Sequence, residues 1–152
     1  MSLNVAAVFD QVESHLHRTG LFDQVGMHEP KSAPGNGLSV EAWVDQITAV
    51  AAVSGLSTAS VRLEMNIRVR KNMLSEPQDE IDIDVLGAVD ILMNNFAGDF
   101  ELDGEVMHVD VLGAYGTSLN ARATYIEQDQ RMYRAMTISL PLIIDNVWAE
   151  VA

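Results

Sequence analysis

The chain contains no cysteine. That excludes disulfides, thiolate metal sites and cysteine nucleophiles, and it suits a reducing compartment. Cations are scarce too: nine Lys and Arg stand against 22 Asp and Glu, for a formal net charge of −13. So acidic a chain is not expected to grip nucleic acid by its phosphates. It can still stand beside DNA, because a negative wall repels a duplex and keeps it from adhering, and acidity alone also serves solubility. No apolar run approaches the roughly 20 residues of a membrane-spanning helix; the longest is interrupted by Asp45, Gln46 and Thr48. The first residues lack a basic leader and carry Asp10 and Glu13 where a signal peptide is apolar, so secretion by that route is not expected.

There are only four prolines, and two of them fall in one segment, His28 to Gly37, HEPKSAPGNG. Pro30 and Pro34 fix φ near −65° and push their predecessors toward extended geometry, while Gly35 and Gly37 permit positive φ around Asn36. No helix can run through such a stretch. A long hydrophilic arm between two strand-like segments commonly contacts a partner, and a tolerated surface loop is the alternative. Its candidate partner-binding residues are His28, Glu29, Pro30, Lys31, Pro34 and Asn36.

At 152 residues the chain reads as one domain, 1–152, able to bury about 68–70% of the surface its unfolded form exposes. Residues 3–19 form an amphipathic helix, with Val5, Val8, Phe9, Val12 and Leu16 at three- and four-residue spacings and Gly20 as its stop. An extended segment follows from Leu21 to Met27, and Leu38 to Val53 reads as a long strand. The clearest strand is Ser60 to Lys71, where Val61, Leu63, Met65, Ile67 and Val69 alternate with Arg62, Glu64, Asn66, Arg68 and Arg70. One face is buried and the other charged. That charged face places Arg62, Arg68 and Arg70 in a row, a candidate subunit interface for an acidic neighbour or else a solvated sheet face.

A second helix opens in SEPQDEIDID, with Pro77 before it, Asp79 as N-cap, and Glu80, Asp82 and Asp84 at the positive end of the dipole. Its core face is Ile81, Val85, Ala88, Val89, Leu92, Met93 and Phe96, and Gly98 ends it. The remainder is strand-like: Asp99–Leu102, an Asp103–Gly104 turn, Glu105–Leu112, Asn120–Ile126, a polar EQDQ turn and Arg131–Ile144. Pro141 predicts that the last strand ends at a sheet edge. These elements predict an α+β fold, an antiparallel or mixed sheet of about six strands with two helices on one face.

Chemical motifs are weak. His15 and His17, two apart on a helix, point about 200° apart and cannot share a metal. His28 and His108 are isolated, and the acidic run Glu76 to Asp84 lacks the central glycine and spaced ligands of a calcium loop. Neither Gly35-Asn36-Gly37 nor Gly113-Ala114-Tyr115-Gly116 has the spacing or lysine of a phosphate loop, and no serine has a nucleophile-elbow context. No catalytic residue, metal or cofactor is expected. An enzyme assembled from distant residues stays open, because sequence spacing does not test convergence in space.

The order of segments is itself a pattern. FDQV in the first helix is followed by GLFDQVGMHEPKSAPGNGL, RLEMNIRVRKNM, EPQDEIDIDVLGAVDILM, GDFELDGEVMHVDVLGAYG, YIEQDQRMYR and TISLPLIIDNVW. Across nearly its whole length the chain resembles the tail terminator proteins of long-tailed bacteriophages and prophages, especially actinobacterial ones. Lys71 and Asn72 depart from it, standing where a less charged strand end is expected. The matching motifs are structural rather than catalytic.

The resemblance implies a small subunit, one that can be monomeric before assembly, that forms a hexameric ring on the head-proximal end of the tail tube. The ring stops polymerisation and receives the head through its connector or stopper proteins. It also implies residence in the virion tail after assembly in the host cytoplasm, with DNA passing through the lumen unbound and no membrane partner. Six equal spheres in a ring enclose a lumen as wide as one subunit, roughly 38 Å for this length, wider than a duplex. The Arg62, Arg68 and Arg70 row would face the next protomer, and the 28–37 loop would reach axially to tube or connector. A head–tail connector or tube subunit of similar size is the structural alternative, and a small acidic enzyme or ligand-binding domain the alternative of another class.

Overall fold

The computed structural model describes residues 3–29, 37–50, 58–99, 101–102, 104, 106 and 108–149. Helix α1, Val5–Arg18, starts where the Asn4 side chain accepts the Ala7 N–H at 3.2 Å. It ends as predicted before Gly20, whose φ of +66° suits glycine. Its stripe buries Val8, Val12, His15 and Leu16, while Val5 is exposed.

Six strands among the described residues make one curled, mixed sheet: β1 Gln24–Gly26, β2 Ser39–Val50, β3 Thr58–Asn72, β4 His108–Val109, β5 Asn120–Gln128 and β6 Arg131–Ala149. The order is β1-β2-β3-β6-β4, with β5 also pairing β6. Only β1–β2 is parallel. The fold is α+β, with α1 against β1 and β2 and helix α2, Ile81–Gly98, against β3 and β6.

The core is built on β3. Val61, Leu63, Met65, Ile67 and Val69 are buried and stand opposite Ile144, Leu142, Leu140, Ile138 and Met136 of β6. Helix α2 closes over them with Ile81, Val85, Ala88, Val89, Leu92 and Phe96, and Met93 packs at the margin. Each fully buried aliphatic or aromatic side chain here contributes about 1.5–3 kcal/mol. The β5–β6 connection is the two-residue turn Asp129–Gln130, with φ of +51° and +64°, a type I′ geometry whose twist matches the strands it joins.

Several expectations need correction. Asp99, Glu101 and Leu102 are in turn geometry, with Leu102 at φ +46° and fully buried, so its apolar side chain plugs the core instead of alternating in a strand; Phe100 lies outside the described residues. Within the segment expected from Glu105 to Leu112, strand pairing among the described residues covers His108–Val109, and the chain then turns at Val111; Glu105 and Met107 lie outside the described residues. Residues 51–53 of the second expected strand, and Asp103 of the expected turn, lie outside the described residues. Asp79 is not a cap: Gln78–Glu80 form a 3-10 turn, and no side chain caps α2.

Pro141 lies within the central strand β6, opposite Glu64 of β3, and β6 continues to Ala149. Its carbonyl accepts the Asp110 N–H at 2.9 Å, so its ring nitrogen points the same way, into the gap where β5 pairing stops at Ser139 and β4 pairing starts at Leu142. The missing donor thus falls where neither strand needs it.

Candidate assembly surfaces

The three arginines of β3 have different environments. Arg62, 6% exposed, reaches Glu64 with Nη1 and the Thr117 carbonyl with Nη2, and its Nε lies 3.6 Å from Asp110 Oδ2. Asp110 in turn accepts the Ala114 and Tyr115 N–H groups at 2.8 and 3.0 Å, which folds the 110–119 loop over this end of the strand. Gly116 lies against the guanidinium: a Cβ there would sit 2.8 Å from Arg62 Cζ.

Arg70, 1% exposed, binds Glu41 Oε1 through Nη2 at 2.9 Å and Gln128 Oε1 through Nη1, with its Cζ 5.7 Å from the Tyr133 ring centroid. Both guanidinium groups are therefore engaged inside their own chain. Arg68 is half-buried. It donates from Nε to Thr137 Oγ1 at 3.0 Å and lies 5.2 Å from the Trp43 ring centroid. Burial, and then Arg70, push its pKa below the ordinary arginine value, against the opposing pull of Glu29 and Glu41. Of the expected row, Arg68 is the member that keeps partial exposure.

Of the expected partner loop, His28 and Glu29 are described, whereas Pro30, Lys31, Pro34 and Asn36 lie outside the described residues. The His28 ring packs beside Gly26 and Glu41, since a Cβ on Gly26 would lie 3.3 Å from His28 Nε2 and 3.4 Å from Glu41 Cγ. The start of the loop and the Arg68–Arg70 end of the row thus share one corner of the sheet. Sequence spacing carried no signal for that meeting.

The acidic start of α2 is more than dipole compensation. Asp82 accepts from Arg134 Nε of β6 at 2.8 Å, and Asp84 accepts from Lys71 of β3, so two ion pairs fasten the helix to the sheet. Arg134 also lies 4.3 Å from the Tyr125 ring centroid. At the other end of α2, the buried His15 Nε2 is 2.8 Å from Asp99 Oδ2 and its ring centroid is 4.9 Å from that of Phe96, which joins α1 to the end of α2. The spacing argument that separated His15 from His17 gave no hint of this partner.

The outward side of α2 is apolar as well. Ile83, Leu86 and Ile91 are 67%, 56% and 41% exposed, and Asp90 is the one charged residue among Ile83, Leu86, Gly87, Asp90, Ile91 and Asn94 on that side. The helix is therefore apolar on both sides, a composition suited to burial on both. An open cleft of about 610 Å³ lies between β2 and the 110–119 loop, with Arg62 and Glu64 in its wall. Among the described residues, no three His, Cys, Asp or Glu side chains gather in a way that could hold a metal ion. Nor is any helix there long and apolar enough to cross a membrane. No protein-family model and no curated protein matches the chain.

Proposed function

We propose that this chain is a phage tail terminator subunit: a virion structural protein that assembles as a ring, six to a turn, on the head-proximal end of the tail tube. The ring halts tube polymerisation and offers its outer surface to the head connector or stopper. The reading rests on the order of sequence segments, and the observation that carries it in three dimensions is the second apolar side of α2. Ile83, Leu86 and Ile91 expose aliphatic surface on a chain whose net charge is −13. A protein that worked alone would gain nothing from that surface, whereas a subunit buries it against its neighbour or the tube.

The charge has a place in the same scheme. An acidic ring wall lets the genome pass without adhering. With Arg62 and Arg70 engaged internally, Arg68 is the cation of the β3 row left to contribute to subunit contact, and His28 and Glu29, at the same corner, belong to the segment assigned to the tube or connector.

The test is tube growth. Purified protein added at a small molar fraction to polymerising tail tube protein of the same phage is expected to shorten the tubes and cap one end. A tube subunit would instead polymerise by itself into long tubes, and unaltered growth with no bound protein would remove the terminator reading.

A further inference from the structure

The sheet leaves two edges open, on opposite sides. Strand β2 is paired along its length by β3, but on its other side β1 covers only Ser39–Glu41. From Ala42 to Ala49 that edge has no strand beside it among the described residues. Across the sheet, β5 pairs among the described residues with β6 alone, leaving its outer edge without a strand from Asn120 to Glu127, and Arg134 Nη1 donates to the Thr124 carbonyl at 3.4 Å. The two edges are equal in length. Neither contains the lysine or proline that commonly protects an exposed edge.

Direction also matches. Because β2–β3, β3–β6 and β6–β5 are each antiparallel, β2 and β5 run in opposite senses. Rotation about an axis near the strand direction preserves those senses, so β2 of one copy would meet β5 of the next as an antiparallel pair.

The side chains agree. Val44 and Ile47 stand opposite Met65 and Leu63, on the helix side of the sheet, yet are 42% and 41% exposed. The same face of β5 carries Ala121, Ala123 and the 58%-exposed Tyr125, opposite Ile138, Met136 and Arg134. Charge permits one cross-edge pair: Asp45 is the charged residue of the open β2 edge, and β5 carries Arg122 together with Glu127, which the register below sets beside Ala42 and away from Asp45. A second β2 edge would bring Asp45 against Asp45 and be disfavoured.

We propose that the ring contact is strand addition between copies, β2 residues 42–49 of one protomer pairing with β5 residues 120–127 of the next, so that the sheet continues around the ring. This contact rests on the ring reading. The register that overlaps both edges fully and keeps their faces aligned places Val44 beside Tyr125 and, past the bulge at Asp45, Ile47 beside Ala123 and Ala49 beside Ala121. The bulky Ile47 then faces the small Ala123. On the other face, Gln46 meets Thr124 and Thr48 meets Arg122, with Asp45 within diagonal reach of Arg122.

Because the chain has no cysteine, the contact can be read by disulfide formation between single-cysteine variants at exposed positions, Gln46→Cys and Thr124→Cys. Each is assembled on tail tubes alone or as an equal mixture, oxidised, and followed by non-reducing electrophoresis with electron microscopy of the same sample. A dimer band in the mixture and in neither variant alone is expected. Capped tubes without that band, or Gln46→Cys dimers by themselves, would overturn the edge contact while leaving the ring reading in place. Absence of both caps and dimers would overturn the two together. As a second readout, Asp45→Arg is expected to reduce capping and the added Arg122→Asp to restore it; equal capping by all three proteins would contradict the pairing.

Discussion

Arg70 reaches diagonally across the sheet to Glu41. In the strand register Glu41 stands opposite Arg68, yet its Oε1 lies 2.9 Å from Arg70 Nη2, with both side chains nearly out of contact with solvent. The side of β3 away from the helices is therefore an interior at this corner, sealed by Tyr133 and Gln128 of the β5–β6 hairpin.

Removing one partner of that pair leaves a buried charge uncompensated. Arg70→Ala is expected to lower the unfolding free energy by about 3–5 kcal/mol, measured by urea denaturation. Replacing both residues, Arg70→Met with Glu41→Leu, should recover most of the loss, because no isolated charge then remains inside.

The core strand pair responds to lost volume. Leu140→Ala removes a fully buried side chain opposite Met65 and is expected to cost about 2–5 kcal/mol, visible as a lower denaturant midpoint with an unchanged slope.

Gly113 holds the loop that covers Arg62. Its φ is +75°, and a Cβ there would approach the Gly116 carbonyl oxygen to 2.6 Å. Gly113→Ala is expected to destabilise the protein by at least about 1 kcal/mol and to loosen the 110–119 loop, seen as faster amide exchange at Ala114 and Tyr115.

The outward side of α2 separates stability from assembly. Leu86→Lys changes a residue that is 56% exposed, so unfolding free energy should stay within about 0.5 kcal/mol of the parent. Capping of tail tubes is expected to be lost, because the lysine places a charge where aliphatic surface is to be buried.

Much of the fold was legible because its signals are periodic. The alternation in β3, the three- and four-residue stripes of α1 and α2, and the polar turn at Asp129–Gln130 each follow from local geometry, and each appears near its expected place. The misreadings share one cause. Alternation says which side chains share a face and leaves open whether another segment covers it, so Arg62 and Arg70 read as an outer row although the 110–119 loop and the β5–β6 hairpin enclose them. Leu102 looked like a strand residue because burial in a turn and burial in a strand leave the same apolar letter. Pro141 looked like an edge because its tolerance depends on two partner strands stopping and starting beside it, a relation with no local sequence signature. The uncovered Val44 and Ile47 were hidden for the same reason, since helix coverage is a tertiary property.

The most direct test of the ring account is negative-stain electron microscopy of tail tubes, of the phage that the proposal requires to encode it, mixed with this protein and viewed end-on and side-on. One ring at one end of each tube, with six-fold rotational symmetry and no further growth from that end, is the result expected. Bare tube ends, or protein added along the tube as further stacked rings, would contradict a terminator, the first returning the account to the connector or enzyme alternatives and the second to a tube subunit.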